Sequence, residues 1–357
     1  MGMRNVPFWN GEGTHLSGQE VLSYKRVGDD MGFEAIAGQE EVVRGLENAL
    51  KNDRVGHAYI FSGPTGIGKK TVAGLFAEML ICDSTDLSKP CGSCQACRLF
   101  NSGANPDFRL VKARGASIGV DDIREIQGDV AIKPMYSKRK IYIIEDADNM
   151  TVQAQNCLLK TLEEPPSYVV LILTAANYDS LLETIRSRSQ RLSFKKNTHA
   201  QVRQVLTEKY GHEAGGIEFA VAYADGIIGT ALDLVGTEEF ISLREKTFET
   251  VNRVKNSGLS AVFALFGFFE ENKEDFDVIL DMMTMFYRDM LVARETGNEK
   301  ILINSDKRDM IFNNARKYSP RQLVAGIRQI EAARRAVKQN ANFQLAVEHM
   351  LISLQEE

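Results

Sequence analysis

The chain has 357 residues, of which 44% are hydrophobic and 25% charged, and its formal net charge is −5. These values fit a globular protein of two or three domains at roughly 100–200 residues each. They exclude nucleic-acid binding through a global excess of positive charge. No stretch reaches the ~20 apolar residues of a membrane-spanning helix, and the Gly- and charge-rich start lacks the apolar core of a secretory signal.

Residues 1–30 fit no element, and Met31 opens the first patterned stretch, so 1–30 reads as an N-terminal extension or leader. Residues 33–52 read as one helix, with Val42, Val43, Leu46, Ala49 and Leu50 on one face. Ala58-Tyr59-Ile60-Phe61 is the short apolar run of a buried parallel strand. A Gly-rich loop and a helix over 69–80 come next. The alternation continues with a strand over 108–111, a helix over 120–130 and a strand over 140–144. A helix over 151–162 is stopped by Pro165-Pro166, and a last strand covers 169–173. Strands alternating with helices predict a parallel sheet with helices on both faces.

After about residue 198 the strand signal ends. Residues 198–237 read as a small helical unit and 238–357 as a longer one. Ser319-Pro320 supplies an N-cap followed by Pro at the first helical position. Phe343, Ala346, Val347, Met350, Leu351 and Leu354 form an apolar stripe, read as a core face or as a face for sister subunits.

The loop after the first strand is Gly63-Pro64-Thr65-Gly66-Ile67-Gly68-Lys69-Lys70-Thr71. Gly63, Gly66 and Gly68 let backbone N–H groups turn toward phosphate oxygens, and the following helix N-terminus adds favourable partial charge. Lys69 would reach the outer phosphates. The next position ordinarily carries a hydroxyl for Mg²⁺; here it is Lys70, and Thr71 comes one residue late. The order strand, loop, helix marks P-loop ancestry, while the departure leaves ATP and Mg²⁺ binding open. The strand over 140–144 runs into Glu145 and Asp146, a carboxylate pair of the kind that holds magnesium and activates water. Active ATPases of this type usually place Asp first and Glu second, the reverse of this order.

Cys82, Cys91, Cys94 and Cys97 lie between residues 82 and 97 with two-residue spacers between the last three. Four thiolates at such spacing suit a tetrahedral Zn²⁺ with no open position, and therefore a structural site. Gly92 relieves crowding in the tight turn. An iron–sulfur site and free thiols are the alternatives. Cys157 reads as a small buried residue. Arg186, Arg188 and Arg191 come after a short helix beyond the last strand. An arginine there could reach a neighbour's nucleotide site, or the basic side chains could form a solvated or DNA-facing patch.

These features together resemble bacterial clamp-loader subunits of the AAA+ class, over about residues 33–357. The most specific parts are the cysteine module placed just after the P-loop helix, Asn156-Cys157-Leu158-Leu159-Lys160-Thr161-Leu162-Glu163-Glu164-Pro165-Pro166, and Ile185-Arg186-Ser187-Arg188. That family usually shows Ser-Arg-Cys at the last site, where this chain has Ser189. It often shows His-Pro-Asp after the cysteines, where this chain has Asn105-Pro106-Asp107. The resemblance implies an α/β fold. A P-loop AAA+ domain over 31–197, with its zinc module at 82–97, would be followed by a helical lid over 198–237 and an all-α collar over 238–357.

Two subunit types share this plan, the gamma/tau ATPase motor and the stationary delta prime type, a poor ATPase or none. Lys70, the inverted Glu145-Asp146 pair, Gly229 in place of a sensing arginine, and a chain that ends at the collar all resemble delta prime. The resemblance then implies a component of the DNA polymerase III holoenzyme, with its own ATPase weak or absent. It would help load the sliding clamp on primed DNA. Arg188 would be the finger offered to an adjacent gamma/tau site. Expected partners are gamma/tau and delta subunits, the clamp, and primed DNA through the assembly, in the cytoplasm and with no membrane. The alternatives are a gamma/tau-type motor and a non-replicative scaffold.

Overall fold

Strands that are apolar at every position need cover on both faces, and the sheet provides it. The computed structural model describes residues 32–85, 88–211, 216–235, 237–256 and 259–356; the expected extension over 1–30 lies outside them. The chain divides into two compact units, the first ending at Thr198 and the second beginning at His199.

The first unit is an α/β sandwich. Helix α1 (Glu40–Lys51), strand β1 (Ala58–Ser62) and helix α2 (Lys69–Ile81) come first, then α3 (Gln95–Asn101), β2 (Phe108–Val111) and α4 (Val120–Val130). Next are β3 (Lys140–Ile144), α5 (Val152–Glu163), β4 (Val169–Ala175), α6 (Glu183–Arg186) and β5 (Gln190–Ser193). The five strands run parallel in the order β2-β3-β4-β1-β5. Every residue of β1, β3 and β4 is buried. Ile60, Tyr142, Leu171 and Leu173 pack on one face against Ile123, Ile126 and Leu158 from α4 and α5. Helix α2 is apolar nearly all round, from Val72 to Ile81, as befits a helix inside a core.

Two elements differ from the sequence expectation. The helix expected over 33–52 is a short 3-10 turn, Phe33–Ala35, and then α1. The break falls at Gly38 and Gln39, both with positive φ (64° and 62°). There the buried Gln39 side chain turns to the segment after β5: its Nε2 donates to Lys195 O at 2.6 Å, and its Oε1 accepts from Lys195 N at 3.0 Å. Strand β5 was not expected, because only Leu192 of its four residues is buried and no apolar run announces an edge strand.

The second unit is all helical: α7 (His199–Tyr210), α8 (Ile217–Ala224), α9 (Ile228–Leu234), α10 (Glu238–Asn256), α11 (Leu259–Glu271), α12 (Phe276–Thr296), α13 (Arg308–Ala315), α14 (Pro320–Lys338) and α15 (Phe343–Glu356). It holds two apolar clusters. One is small, around Val202, Leu206, Val221 and Ala231. The other is large, around Phe248, Met283, Phe286, Ile330 and Met350. The Ser319 cap is present as a reciprocal box with Gln322. Val347, Met350, Leu351 and Leu354 of the α15 stripe go into the core of their own unit. Gly326 lets α14 approach α12 closely, since a Cβ there would stand 2.6 Å from the Tyr287 ring.

An ion pair between a buried guanidinium and an exposed carboxylate ties the long loop after α12 to α10. Arg244 is 3% exposed and donates to Asp306 at 2.7 and 2.8 Å and to Asn304 Oδ1 at 2.9 Å. Burial pushes the Asp306 carboxyl up, but the Arg244 hydrogen bonds and charge outweigh it and hold its pKa below the usual range. A depressed carboxylate stabilises the fold above its unfolded pKa of about 3.9, and that contribution is lost as pH falls through the folded value. Because the Asp306 carboxylate is 40% exposed and screened by water, Asp306→Asn is expected to cost about 1 kcal/mol at neutral pH and progressively less against the parent below about pH 4. Urea melts across pH measure both.

Candidate functional site

Strand β1 ends at Ser62 and the loop begins where three strand ends meet. Gly63 N donates to Ala175 O at 3.1 Å, and Phe194 N, just past β5, donates to Ser62 O at 2.7 Å. A Cβ on Gly63, whose φ is 154°, would stand 2.7 Å from Phe194 O, so only glycine fits. Gly66 and Gly68 also take positive φ (78° and 102°). A Cβ on Gly68 would meet nothing within 4 Å, so the loop faces open space at the N-terminus of α2. Lys69 is 4% exposed, and its Nζ donates back to Gly63 O at 2.6 Å and Pro64 O at 2.9 Å. Burial lowers its pKa, opposed by Asp146 and Asp148. The backbone and Lys69 thus have the form of a phosphate cradle.

The magnesium part of a P-loop does not fit. Lys70 Nζ donates to Asp146 Oδ2 at 2.9 Å and to Glu145 Oε2 at 3.2 Å. Burial presses down on this ammonium, but Asp146 and Glu145 outweigh it and raise its pKa. Lys112 Nζ lies 3.8 Å from the same Glu145 oxygen. A divalent ion about 3.5 Å from the Lys70 ammonium would meet a repulsion on the order of 5–10 kcal/mol at an effective dielectric constant of about 20–40. Thr71 is half-buried and lies about 100° further round α2, so it does not stand in for the missing hydroxyl. Asp146 takes a left-handed conformation, φ 47°, and its amide donates to Thr174 Oγ1 at 3.0 Å, which fixes its direction.

The cysteines converge. The sulfurs of Cys82, Cys91, Cys94 and Cys97 all lie within 4.8 Å of one another, between the C-terminus of α2 and the N-terminus of α3. A tetrahedral zinc with Zn–S of about 2.3 Å would hold its sulfurs roughly 3.8 Å apart. Backbone amides donate to the sulfurs: Ser84 and Cys91 N to Cys82, Cys94 N to Cys91 and Cys97 N to Cys94, at 3.3–3.4 Å. Such donors favour thiolates. The Cys94 amide brings the Cys91 thiol down to about 6, while burial pushes Cys82 and Cys97 up. This donor set fits a metal ion. Gly92 has φ 64° in the turn. Cys157 is half-buried, its thiol on Gln127 Oε1 at 3.5 Å.

Asn105-Pro106-Asp107 connects this module to the sheet. Asn105 Nδ2 donates to Ala96 O in α3 at 3.0 Å. The buried Asp107 carboxylate accepts from Met135 N at 2.7 Å and Tyr136 N at 2.6 Å. This clamp was not visible in the sequence, because it joins residues 28 and 29 positions apart.

The arginines differ in how tightly they are held. Arg186 and Arg191 both lie over the Tyr178 ring, at 5.2 and 3.9 Å; Arg186 also pairs with Asp179 at 2.7 Å, and Arg191 with Ser62 Oγ at 3.1 Å. Arg188 reaches the exposed Glu163 at 3.1 Å and Thr184 O at 3.2 Å. Glu163 belongs to the Leu162-Glu163-Glu164-Pro165-Pro166 segment, so two of the sequence markers touch.

The sequence matches known proteins over most of its length. The profile described as "DNA polymerase III, delta subunit" matches residues 38–198, and "DNA polymerase III, delta subunit, C terminal" matches 238–356. DNA polymerase III subunit delta' of Bacillus subtilis (strain 168) is 31% identical over 321 residues, covering 89% of this chain and 96% of that one. The chain belongs to the DNA polymerase III clamp-loader subunit family. Subunit tau of the same organism is 30% identical over 316 residues, covering 82% of this chain and 55% of tau, so the chain spans about half the length of that relative. A gamma subunit-related protein of Thermotoga maritima of known structure has 20% identity and a TM-score of 0.43, covering 87% of this chain and 98% of that one. Within this clamp-loader family the first unit has the AAA+ P-loop architecture, with a cysteine cluster able to hold a metal between α2 and α3. Among the described residues no helix is long and apolar enough to cross a membrane.

Metal removal from this clamp-loader subunit is expected to loosen the segment from Cys82 to Asp107. A strong chelator, or Cys97→Ser, should lower the melting temperature by about 5 °C or more. Elemental analysis and thermal melting of the same samples check it.

Proposed function

We propose that this chain is a delta prime type clamp-loader subunit, the stationary partner that helps load the sliding clamp on primed DNA. The observation that carries this reading is the Lys70 bridge to Glu145 and Asp146. A motor needs those carboxylates for a metal and an attacking water; here a fixed cation ties them down. Gly229, the second residue of α9, offers no side chain where a motor's sensing arginine is expected. The gamma/tau motor is the reading this weighs against. The metal held by Cys82, Cys91, Cys94 and Cys97 is a structural Zn²⁺, since four sulfurs leave no open position. Gamma/tau and delta subunits would be its partners, with clamp and DNA engaged through the assembly.

Arg188 is the residue that acts, in trans, on a neighbour's nucleotide. Its support is the looseness of its tether. An exposed ion pair such as Arg188–Glu163 contributes about 0–1 kcal/mol, so the guanidinium can leave it at small cost. Arg186 and Arg191 are each held by an aromatic ring and a second partner.

Two measurements test the assignment. The purified chain, given clamp and primed DNA, is expected to show negligible ATP turnover. Robust turnover abolished by Lys69→Ala would make it a motor instead. In the reconstituted loader, Arg188→Ala is expected to slow hydrolysis at the adjacent site by about 1,000-fold or more while the assembly stays intact by gel filtration. Unchanged turnover would remove the finger role.

A further inference from the structure

The first unit contains a charge arrangement that neither a motor nor a vestigial loop requires. Glu145, 7% exposed, and Asp146 present two carboxylates at the end of β3, beside the start of α2. Lys70 Nζ stands between them at 3.2 and 2.9 Å, and Lys112 Nζ lies 3.8 Å from Glu145. Two negative groups thus face two ammonium groups, and the cluster is neutral without any solution ion. Lys70 occupies the helix position from which a hydroxyl would otherwise hold a divalent cation against these carboxylates.

We propose that Lys70 is a built-in counter-ion that replaces the divalent cation of the loop, so that the Glu145–Asp146 pair is closed to Mg²⁺ and any phosphate the loop takes is taken without metal. Three features support this. The ammonium bridges both carboxylates rather than one. It reaches them from the first turn of α2, a short and defined span. The neighbouring Lys112 supplies the remaining charge, so a divalent ion entering would meet two ammonium groups and find both carboxylates engaged. The inference shares the Lys70 bridge with the delta prime reading, and its test reads divalent-ion binding alone, so it can fail while the subunit assignment, tested by ATP turnover, is judged separately.

The test uses the full chain in chelator-free buffer, so that the cysteine module keeps its metal. Mn²⁺ serves as the spectroscopic stand-in for Mg²⁺. The parent protein is expected to leave the Mn²⁺ resonance that of free ion and to melt at the same temperature with and without Mg²⁺. Lys70→Thr restores the hydroxyl and frees the carboxylates. It is expected to bind about one Mn²⁺ per chain and to gain about 3 °C in melting temperature on addition of Mg²⁺ at about ten times its dissociation constant. Adding Glu145→Gln and Asp146→Asn to that variant is expected to abolish both responses, which locates the ion. Lys70→Met, which keeps the side-chain stem without the charge, should melt below the parent and be rescued by Mg²⁺. A parent protein that binds Mn²⁺ at Glu145 and Asp146 would overturn the proposal. So would Lys70→Thr and Lys70→Met variants that fold but ignore divalent ions.

Discussion

A parallel strand hidden on both faces has only its ends to offer, and the first unit depends on this constraint. β1, β3 and β4 bury every residue. Their chemistry is therefore confined to the loops that leave their C-terminal ends, the edge at which open α/β sheets place their sites. Gly63 comes directly after β1, Glu145 and Asp146 directly after β3, and β4 contributes Thr174 and Ala175 to the same edge. Because β4 lies between β1 and β3, the glycine loop and the carboxylates are one strand apart, and a single lysine side chain spans the gap.

Lys70 shows how far a change at one position of such an edge can reach. With a hydroxyl there, the carboxylates would need an ion from solution. With an ammonium there, their charge is met from within the chain, and the α2 N-terminus is tied by two hydrogen bonds to the two residues that follow β3. The remainder of the loop, Gly63, Gly66, Gly68 and Lys69, keeps the conformation of a phosphate cradle. The two halves of the P-loop apparatus are therefore separable: the anion half stays while the cation half is filled by the protein.

Legibility in the sequence tracks burial and distance along the chain. β1, β3 and β4 could be read because strands buried on both faces are apolar throughout. β5 could not, since only Leu192 of an edge strand needs to be apolar. The cysteine cluster was legible because its four ligands are close neighbours in sequence. Lys70 could be recognised as a departure, but its partners lie 75 and 76 residues away, and no local pattern names them. The same holds for Arg188 with Glu163 and for Asp107 with the amides of Met135 and Tyr136. The helix expected over 33–52 split because Gln39 commits its side chain to Lys195, 156 residues on. Periodicity registers apolar faces and is silent about such polar ties.

The unexpected strand β5 has a mechanical consequence. Its N-terminal side continues the turn that carries Arg188, and past its C-terminal end Phe194 bonds to Ser62 and lies against Gly63. Four residues of extended chain measure about 13 Å, and pairing with β1 along one edge keeps them straight. Arg191, midway along, is pinned to Ser62 and Tyr178. The outward arginine and the inward glycine loop are thus the two ends of one short rod. Arg188 and the mouth of the loop are therefore linked through the backbone by a strand paired to β1, with no long loop between them.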